Sequence, residues 1–335
     1  MRGERLDAFI AQGPCAGAAV APLAGDASNR RYLRLSHPRN GPAVLMDAPP
    51  ERGEDVAPFL DVTERLRAGG YSAPRVLDAD AEQGFLLLED LGDRLFARHL
   101  ERAPDDEPAL YAAAVALLAD LHRRPAAAEG LPPYDLPMLW REAALVTDWY
   151  LPGATGQTPD GDTVAAYRTL IETACATLNG APPVCVLRDY HAENLVWLPD
   201  RDGLARVGLL DYQDALAGHP AYDLVSLLED ARRDTSPALR EAMIGEYLSL
   251  SGAEPHAFAQ AYAALGAQRN LKILGIFARL WLRDGKPQYL DLMPRVWEHL
   301  QRDLSHPALS PLSTWVSECV PPPDAATRAA LRAAR

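Results

Sequence analysis

The chain has 335 residues, enough for one large domain or two modest ones with a core that needs no disulfide or metal staples. Hydrophobic residues make up 48% and charged residues 24%, which excludes a wholly disordered or fibrous chain. The net charge of −13 repels phosphate backbones and speaks against broad nucleic-acid binding.

Residues Leu6 to Ala19 read as a short helix, followed by a small polar loop, Ala24-Gly25-Asp26-Ala27-Ser28-Asn29. Arg31 to Leu35 alternates as a strand, His37 to Gly41 supplies turn chemistry ending in Asn-Gly, and Ala43 to Met46 is a second strand. Asp55 to Ala68 carries Phe59, Leu60, Thr63 and Leu66 at helical spacing, with Gly69-Gly70 to end it. Gly84 to Leu88 reads as a buried strand, with a bend at Leu91-Gly92. Helical spacing then dominates: Leu110 to Leu121, Trp140 to Trp149 and Thr163 to Leu178, with a Pro- and Ala-rich connection over 125–137 and a loop from Gly153 to Gly161. Val184 to Leu187 is a strand, and Leu195–Leu198 with Ala205–Leu210 forms a hairpin around Pro199–Gly203. Beyond Tyr222 the pattern is helical to about His299. The expected class is α+β: a β-rich region over residues 1–90, a mainly helical region over 91–320, and a peripheral tail over 321–335.

Cys15, Cys175, Cys185 and Cys319 form no Cys-x-x-Cys pair, so reduced structural thiols in a cytoplasm are expected. No basic-then-apolar leader opens the chain and no apolar run approaches ~20 residues, so no membrane role is expected. The only lysines are Lys272 and Lys286, so any phosphate clamp in the first half must use Arg or backbone N–H.

The informative stretch is Leu187-Arg188-Asp189-Tyr190-His191-Ala192-Glu193-Asn194-Leu195, followed by Leu209-Leu210-Asp211-Tyr212-Gln213-Asp214. A hairpin brings its outer ends together, so Asn194 and Asp211 should be neighbours with Asp189 one short loop away. That offers two hard oxygen ligands for Mg²⁺, which prefers a few protein oxygens plus phosphate oxygens. The third carboxylate, Asp189, suits acceptance of a proton from an attacking hydroxyl.

This constellation resembles the aminoglycoside phosphotransferase family and its choline- and sugar-kinase relatives, which share the two-lobed protein-kinase fold. The resemblance matches Asp189 to the catalytic Asp, and Asn194 and Asp211 to the metal ligands; Leu187 stands where the family usually has His. His219-Pro220-Ala221-Tyr222-Asp223-Leu224 resembles the family's Pro- and Tyr-Asp-Leu-containing segment, whose Asp supports the catalytic loop, and Leu121-His122 resembles the end of a helix beneath it. Gly25-Asp26-Ala27-Ser28, Met46-Asp47-Ala48-Pro49-Pro50, Leu88-Glu89-Asp90-Leu91-Gly92 and Asp211-Tyr212-Gln213-Asp214-Ala215, with Arg269 to Leu280, are similar to the bacterial anomeric kinases of cell-wall recycling. The resemblance spans about Ala24 to Leu290. It implies ATP and Mg²⁺ as cofactors, an N-acetyl amino sugar as acceptor and transfer to its C1 hydroxyl. A monomer is expected.

Within that family picture the backbone of Gly25, Asp26, Ala27 and Ser28 is expected to cover the nucleotide phosphates, and main-chain groups near Glu89 and Leu91 to bind adenine. Met46 stands where protein kinases place the phosphate-binding Lys, so Arg31, or Arg30, is expected to substitute. Glu64 then loses the usual helix-Glu role. Tyr190, His191, Glu193, Gln213, Asp214 and Arg269 are the candidate acceptor-binding residues, and tryptophans such as Trp140 and Trp281 are core residues or sugar platforms. The rival readings are another small-molecule kinase, acting on an aminoglycoside, choline or a different sugar, and a nucleotide-binding pseudokinase.

Overall fold

A computed structural model describes residues 2–23 and 29–335. They pack as two compact units, one of residues 2–117 with 193–215, the other of 118–192 with 216–335.

The first unit is built on a five-stranded antiparallel sheet: β1 (Ala19–Pro22), β2 (Arg31–His37), β3 (Gly41–Asp47), β4 (Val76–Asp80) and β5 (Phe85–Glu89), in the order β1-β2-β3-β5-β4. The β2–β3 hairpin turns where the Asn40-Gly41 pair permits it, Gly41 taking φ +76°. Strand alternation sorts the side chains. Leu35, Ala43, Leu45, Phe85 and Leu87 bury on one face against Leu6 of the helix Arg2–Gln12. Each large side chain taken out of water there contributes roughly 1.5–3 kcal/mol. The helix Ala57–Ala68 buries Phe59, Val62, Thr63 and Leu66, leaving Glu64 exposed. A short ladder, β7 (Leu195–Trp197) with β8 (Val207–Leu209), completes this unit. Gly208 packs closely there: a Cβ would sit 3.1 Å from Leu91, Val196 and Leu198 side-chain atoms.

The second unit is mainly helical. The strands β6 (Val184–Val186) and β9 (Leu216–Gly218) pair antiparallel and carry the chain toward 187–191 and away from Ala215. At the centre lies the helix Pro255–Leu282, which packs against the helices Leu136–Ala143, Ala221–Leu228 and Met293–Leu304. Its buried face includes Gln268, Arg269 and Asn270 among apolar residues. Asn270 Nδ2 donates to Glu229 Oε2 (2.8 Å) and to Asp303 Oδ2 (2.9 Å), and burial raises both of those carboxyls. The chain end is anchored: Trp281 Nε1 donates to the Leu331 carbonyl (2.7 Å) in the helix Ala325–Ala333, and Tyr150 to that of Pro321 (2.7 Å). No helix among the described residues is long and apolar enough to cross a membrane.

Several elements differ from those expected. The first helix spans Arg2–Gln12, ending at Gly13-Pro14 rather than Ala19. β1 and β4 carry little apolar alternation because both are exposed edge strands, and β4 shifts register at Leu77. The stretch from Trp140 breaks at Ala143, widens into a π turn over Val146–Tyr150 and continues as a short helix Leu151–Thr155, so only residues after 155 form the expected loop. β9 is too short to show a period.

His299 is buried beside Arg302, its Nδ1 3.1 Å from Arg302 Nη1. Burial, then Arg302, pushes its pKa from 6.5 down to about 4. The unfolded chain protonates this ring below about 6.5 and the folded chain only below about 4, so its share of stability is whole above 6.5 and lost as pH falls to 4. The melting-temperature gap between the protein and His299→Gln should therefore narrow as buffers go from about pH 7 to about pH 4.5. A gap that stays constant or widens would contradict a neutral buried His299.

Candidate active site

In the second unit, the segment that carries Asp189 leaves β6 through an unusual turn. Asp189 N–H donates to the Leu187 carbonyl (2.9 Å), with Arg188 between them at φ +70°. This is a γ-turn of the rare positive-φ kind, a conformation that a side chain other than Gly adopts only when its surroundings hold it. The holding group is Asp223, fully buried in the helix Ala221–Leu228. Its Oδ2 accepts the Leu187 N–H (2.7 Å) and its Oδ1 the Arg188 N–H (2.8 Å). Ser226 Oγ donates to the Arg188 carbonyl (3.0 Å) and accepts from Arg269 Nη2 (2.9 Å). His122 bonds Tyr247 through Nδ1 (2.8 Å) and sets Nε2 3.9 Å from Asp223 Oδ2. Asp223 and His122 thus have the supporting places expected of them.

The Arg188 guanidinium reaches Glu142, whose carboxylate also takes Lys272 Nζ (2.9 Å) and the Tyr134 hydroxyl. Burial acts to raise the Glu142 carboxyl, yet Lys272 and Arg188 beside it hold it below its ordinary value. Asp189 is half-buried, while Tyr190 and His191 are buried. Burial lowers the His191 pKa; Asp230 and Asp189 oppose that shift, and Arg232 and Arg269 add to it. The charges of Asp189 and Arg269 therefore both act on the His191 ring.

In the first unit, β7 and β8 bring Asn194 and Asp211 to adjacent strand ends. The Leu210 N–H donates to the Asn194 carbonyl (3.0 Å) and Leu195 pairs with Leu209. Asp211 is the second non-glycine residue with positive φ (+56°) among the described residues. Gln213 Nε2 donates to Asp211 Oδ1 (2.8 Å) and Gln213 is buried, so this acceptor candidate orients a carboxylate. Tyr212 ties the segment to the helix Ala57–Ala68: its ring stacks on Phe59 (5.1 Å, 20°) and its hydroxyl lies 2.8 Å from Thr63 Oγ1. Since Thr63 Oγ1 donates to the Phe59 carbonyl (2.6 Å), the Tyr212 hydroxyl is the donor. Among the described residues no three His, Cys, Asp or Glu side chains gather to hold a metal. One amide and one carboxylate at paired strand ends form instead a hard-oxygen set that phosphate oxygens would complete, and that donor chemistry fits Mg²⁺.

The remaining candidates lie as follows. Gly25, Asp26, Ala27 and Ser28 fall outside the described residues. Arg31 is exposed and pairs with the buried Asp47 through Nε (3.0 Å), a carboxylate that also takes Arg2 Nε (2.7 Å). Arg30 Nε bonds Glu54 (2.8 Å). Met46 is buried between Tyr32 and Leu86. Glu89, at the end of β5, accepts from Arg201 (2.8 Å) and from the Arg75 N–H (3.1 Å), and Leu91 is buried after it. Glu193 is half-buried and Asp214 exposed. Trp140 meets Tyr167 edge-on (5.5 Å), a core contact. Glu142 carries no motif signal; Lys272 is marked only as a rare lysine inside the Arg269 to Leu280 segment, with no role given to it.

A family model described as phosphotransferase enzyme family matches residues 19–262. An N-acetylmuramate/N-acetylglucosamine kinase of Caulobacter vibrioides is 39% identical, covering 89% of this chain and 91% of that protein. One of the same name from Pseudomonas aeruginosa is 36% identical, covering 88% and 86%. Among solved structures, a choline/ethanolamine kinase family protein from Mesorhizobium loti superposes with TM-score 0.63 at 16% identity, covering 99% of this chain and 100% of that one. An ADP-bound aminoglycoside phosphotransferase gives 0.61 at 16%, covering 90% and 96%. Identities this low speak for the fold, and the fold is the kinase-like α+β one expected from the motifs.

Tyr212→Phe keeps the stack on Phe59 and deletes one hydrogen bond, so it should cost about 1 kcal/mol of unfolding free energy. Tyr212→Ala removes the ring and should cost about 3–5 kcal/mol. Denaturant titration checks both, and equal losses would contradict an anchor made mainly by stacking.

Proposed function

The chain belongs to the phosphotransferase enzyme family, enzymes that move a phosphoryl group to an acceptor hydroxyl, and on that footing we propose that it is an ATP- and Mg²⁺-dependent sugar kinase. The acceptor in this reading is N-acetylmuramate, N-acetylglucosamine or both, the position is the anomeric C1 hydroxyl, and the product is the α-1-phosphate used in peptidoglycan recycling. The names of relatives 36–39% identical over nearly nine-tenths of the chain support the acceptor class. The observation that carries the chemistry is the pair of left-handed residues, Arg188 and Asp211, at the two segments that bear the candidate carboxylates.

In the proposed reaction the C1 oxygen attacks the γ-phosphorus, the bond from that phosphorus to the bridging oxygen of ADP breaks, and Asp189 takes the hydroxyl proton. Asn194 and Asp211 would hold Mg²⁺, with Gln213 fixing one Asp211 oxygen. When bound, the ion supplies positive charge against the phosphate oxygens. Gly25 to Ser28 would cover those phosphates through N–H groups, Arg31 or Arg30 would supply the cation that Met46 does not, and main-chain groups near Glu89 and Leu91 would meet adenine. Nucleotide binding is thereby assigned to residues 1–90, and acceptor binding to 91–320 through Tyr190, His191, Glu193, Asp214 and Arg269. A cytoplasmic monomer completes the reading.

The test is ADP release from Mg·ATP over N-acetylmuramate, N-acetylglucosamine, glucose, choline and kanamycin, with ³¹P NMR of the product. A phosphate signal split by the anomeric proton of an N-acetyl amino sugar is the expected result. Turnover confined to choline or kanamycin would overturn the acceptor, and transfer to none of the five would overturn the sugar-kinase reading.

A further inference from the structure

Arg188 is held by more than its backbone. Asp223 and Ser226 hold its N–H and carbonyl, while its guanidinium is fixed from two distant helices. Glu142, near the end of the helix Leu136–Ala143, spends one carboxylate oxygen on Arg188 and Lys272, the latter at 2.9 Å, and the other on the Tyr134 hydroxyl. Lys272, on the helix Pro255–Leu282, also donates to the Tyr222 hydroxyl (3.2 Å), and Tyr222 is the chain neighbour of Asp223. The contacts close a ring: Arg188 side chain, Glu142, Lys272, Tyr222, Asp223, and back to the Arg188 N–H. The Tyr134 ring lies against Tyr222 (4.9 Å) and under the Arg188 guanidinium (5.7 Å). Glu142 is itself buried. A lone carboxylate would not stay ionised there, but two cations face it.

Such a device is more than a helix staple demands, because it ends on the one residue whose left-handed turn sets the direction of Asp189. We infer that Glu142 and Lys272 are positioning residues for the proton-accepting Asp189: they lock the Arg188 side chain, and with it the γ-turn that aims the Asp189 carboxylate. This rests on the reading of Asp189 given above. Neither residue touches the reacting atoms in this account, so their loss should slow turnover without weakening substrate binding.

The test is a double-mutant cycle on the acceptor that the enzyme turns over, with rates expressed per folded protein by circular dichroism. Glu142→Gln should lower kcat at least about tenfold and leave KM for ATP and for the acceptor within about threefold. In the Asp189→Asn background the same change should lower the residual rate less than about twofold, because the group it positions is already gone. Lys272→Met should behave like Glu142→Gln, and Lys272→Arg should restore most of kcat. Should Glu142→Gln fail to fold, Lys272→Met carries the same cycle. An unchanged kcat, equal losses in both backgrounds, or a rise in KM alone would overturn the inference. Asp189→Asn turning over like the unmodified enzyme would instead overturn the reading of Asp189, and the inference with it.

Discussion

The Asp223 carboxylate, wholly out of water, accepts the backbone N–H groups of Leu187 and Arg188. Hydrogen bonds to a charged group are worth roughly 1.5–3 kcal/mol each, so the two together outweigh the roughly 1–3 kcal/mol strain of one left-handed residue. An ionised carboxylate buried without such partners would be strongly destabilising. The two needs meet: the charge needs donors, and the turn at Arg188 presents two N–H groups together. Asp223 lies in the first turn of the helix Ala221–Leu228, where a negative charge also faces the positive end of the helix dipole. The shape of the loop that follows, and the place of Asp189 in it, depend on this one contact.

The first unit solves a similar problem by different means. Asp211 also adopts positive φ, and the residues on either side of it are pinned. Leu210 is tied to Asn194 through the backbone, and Tyr212 is tied to the helix Ala57–Ala68 by stacking on Phe59 and by its hydroxyl bond to Thr63. A protein kinase places a Lys–Glu ion pair at the corresponding strand and helix. Here the strand position is the buried Met46, the helix Glu64 is exposed, and Thr63 and Phe59 hold the helix to the segment that follows Asp211 instead. An aromatic stack with one hydrogen bond needs no desolvated charge, which suits a position where no lysine is available.

What the sequence made legible follows from which interactions are local. The β2–β3 hairpin was readable because alternation and Asn40-Gly41 are properties of a dozen adjacent residues. The meeting of Asn194 and Asp211 was readable because a two-strand hairpin dictates where its ends meet. Asp223 was readable only through its motif. The partners that matter most in space were not: Glu142 and Lys272 join Arg188 across 46 and 84 residues of sequence, and no local pattern ties the three together. Arg31 met Asp47 across the β2–β3 pairing, a partnership that alternation alone does not single out. The edge strands β1 and β4 escaped notice because exposure along the strand, on both faces, removes the period that would announce them.

The proposed reaction divides labour between a carboxylate that moves a proton and a carboxylate that holds a metal with its nucleotide. Calorimetric titration of ATP with and without Mg²⁺, set beside turnover, tests that division most directly. Asp211→Ala should lose the Mg²⁺-dependent gain in ATP affinity, whereas Asp189→Asn should keep it and lose nearly all turnover. Full Mg²⁺-dependent binding in Asp211→Ala, or turnover at the unmodified rate in Asp189→Asn, would contradict it.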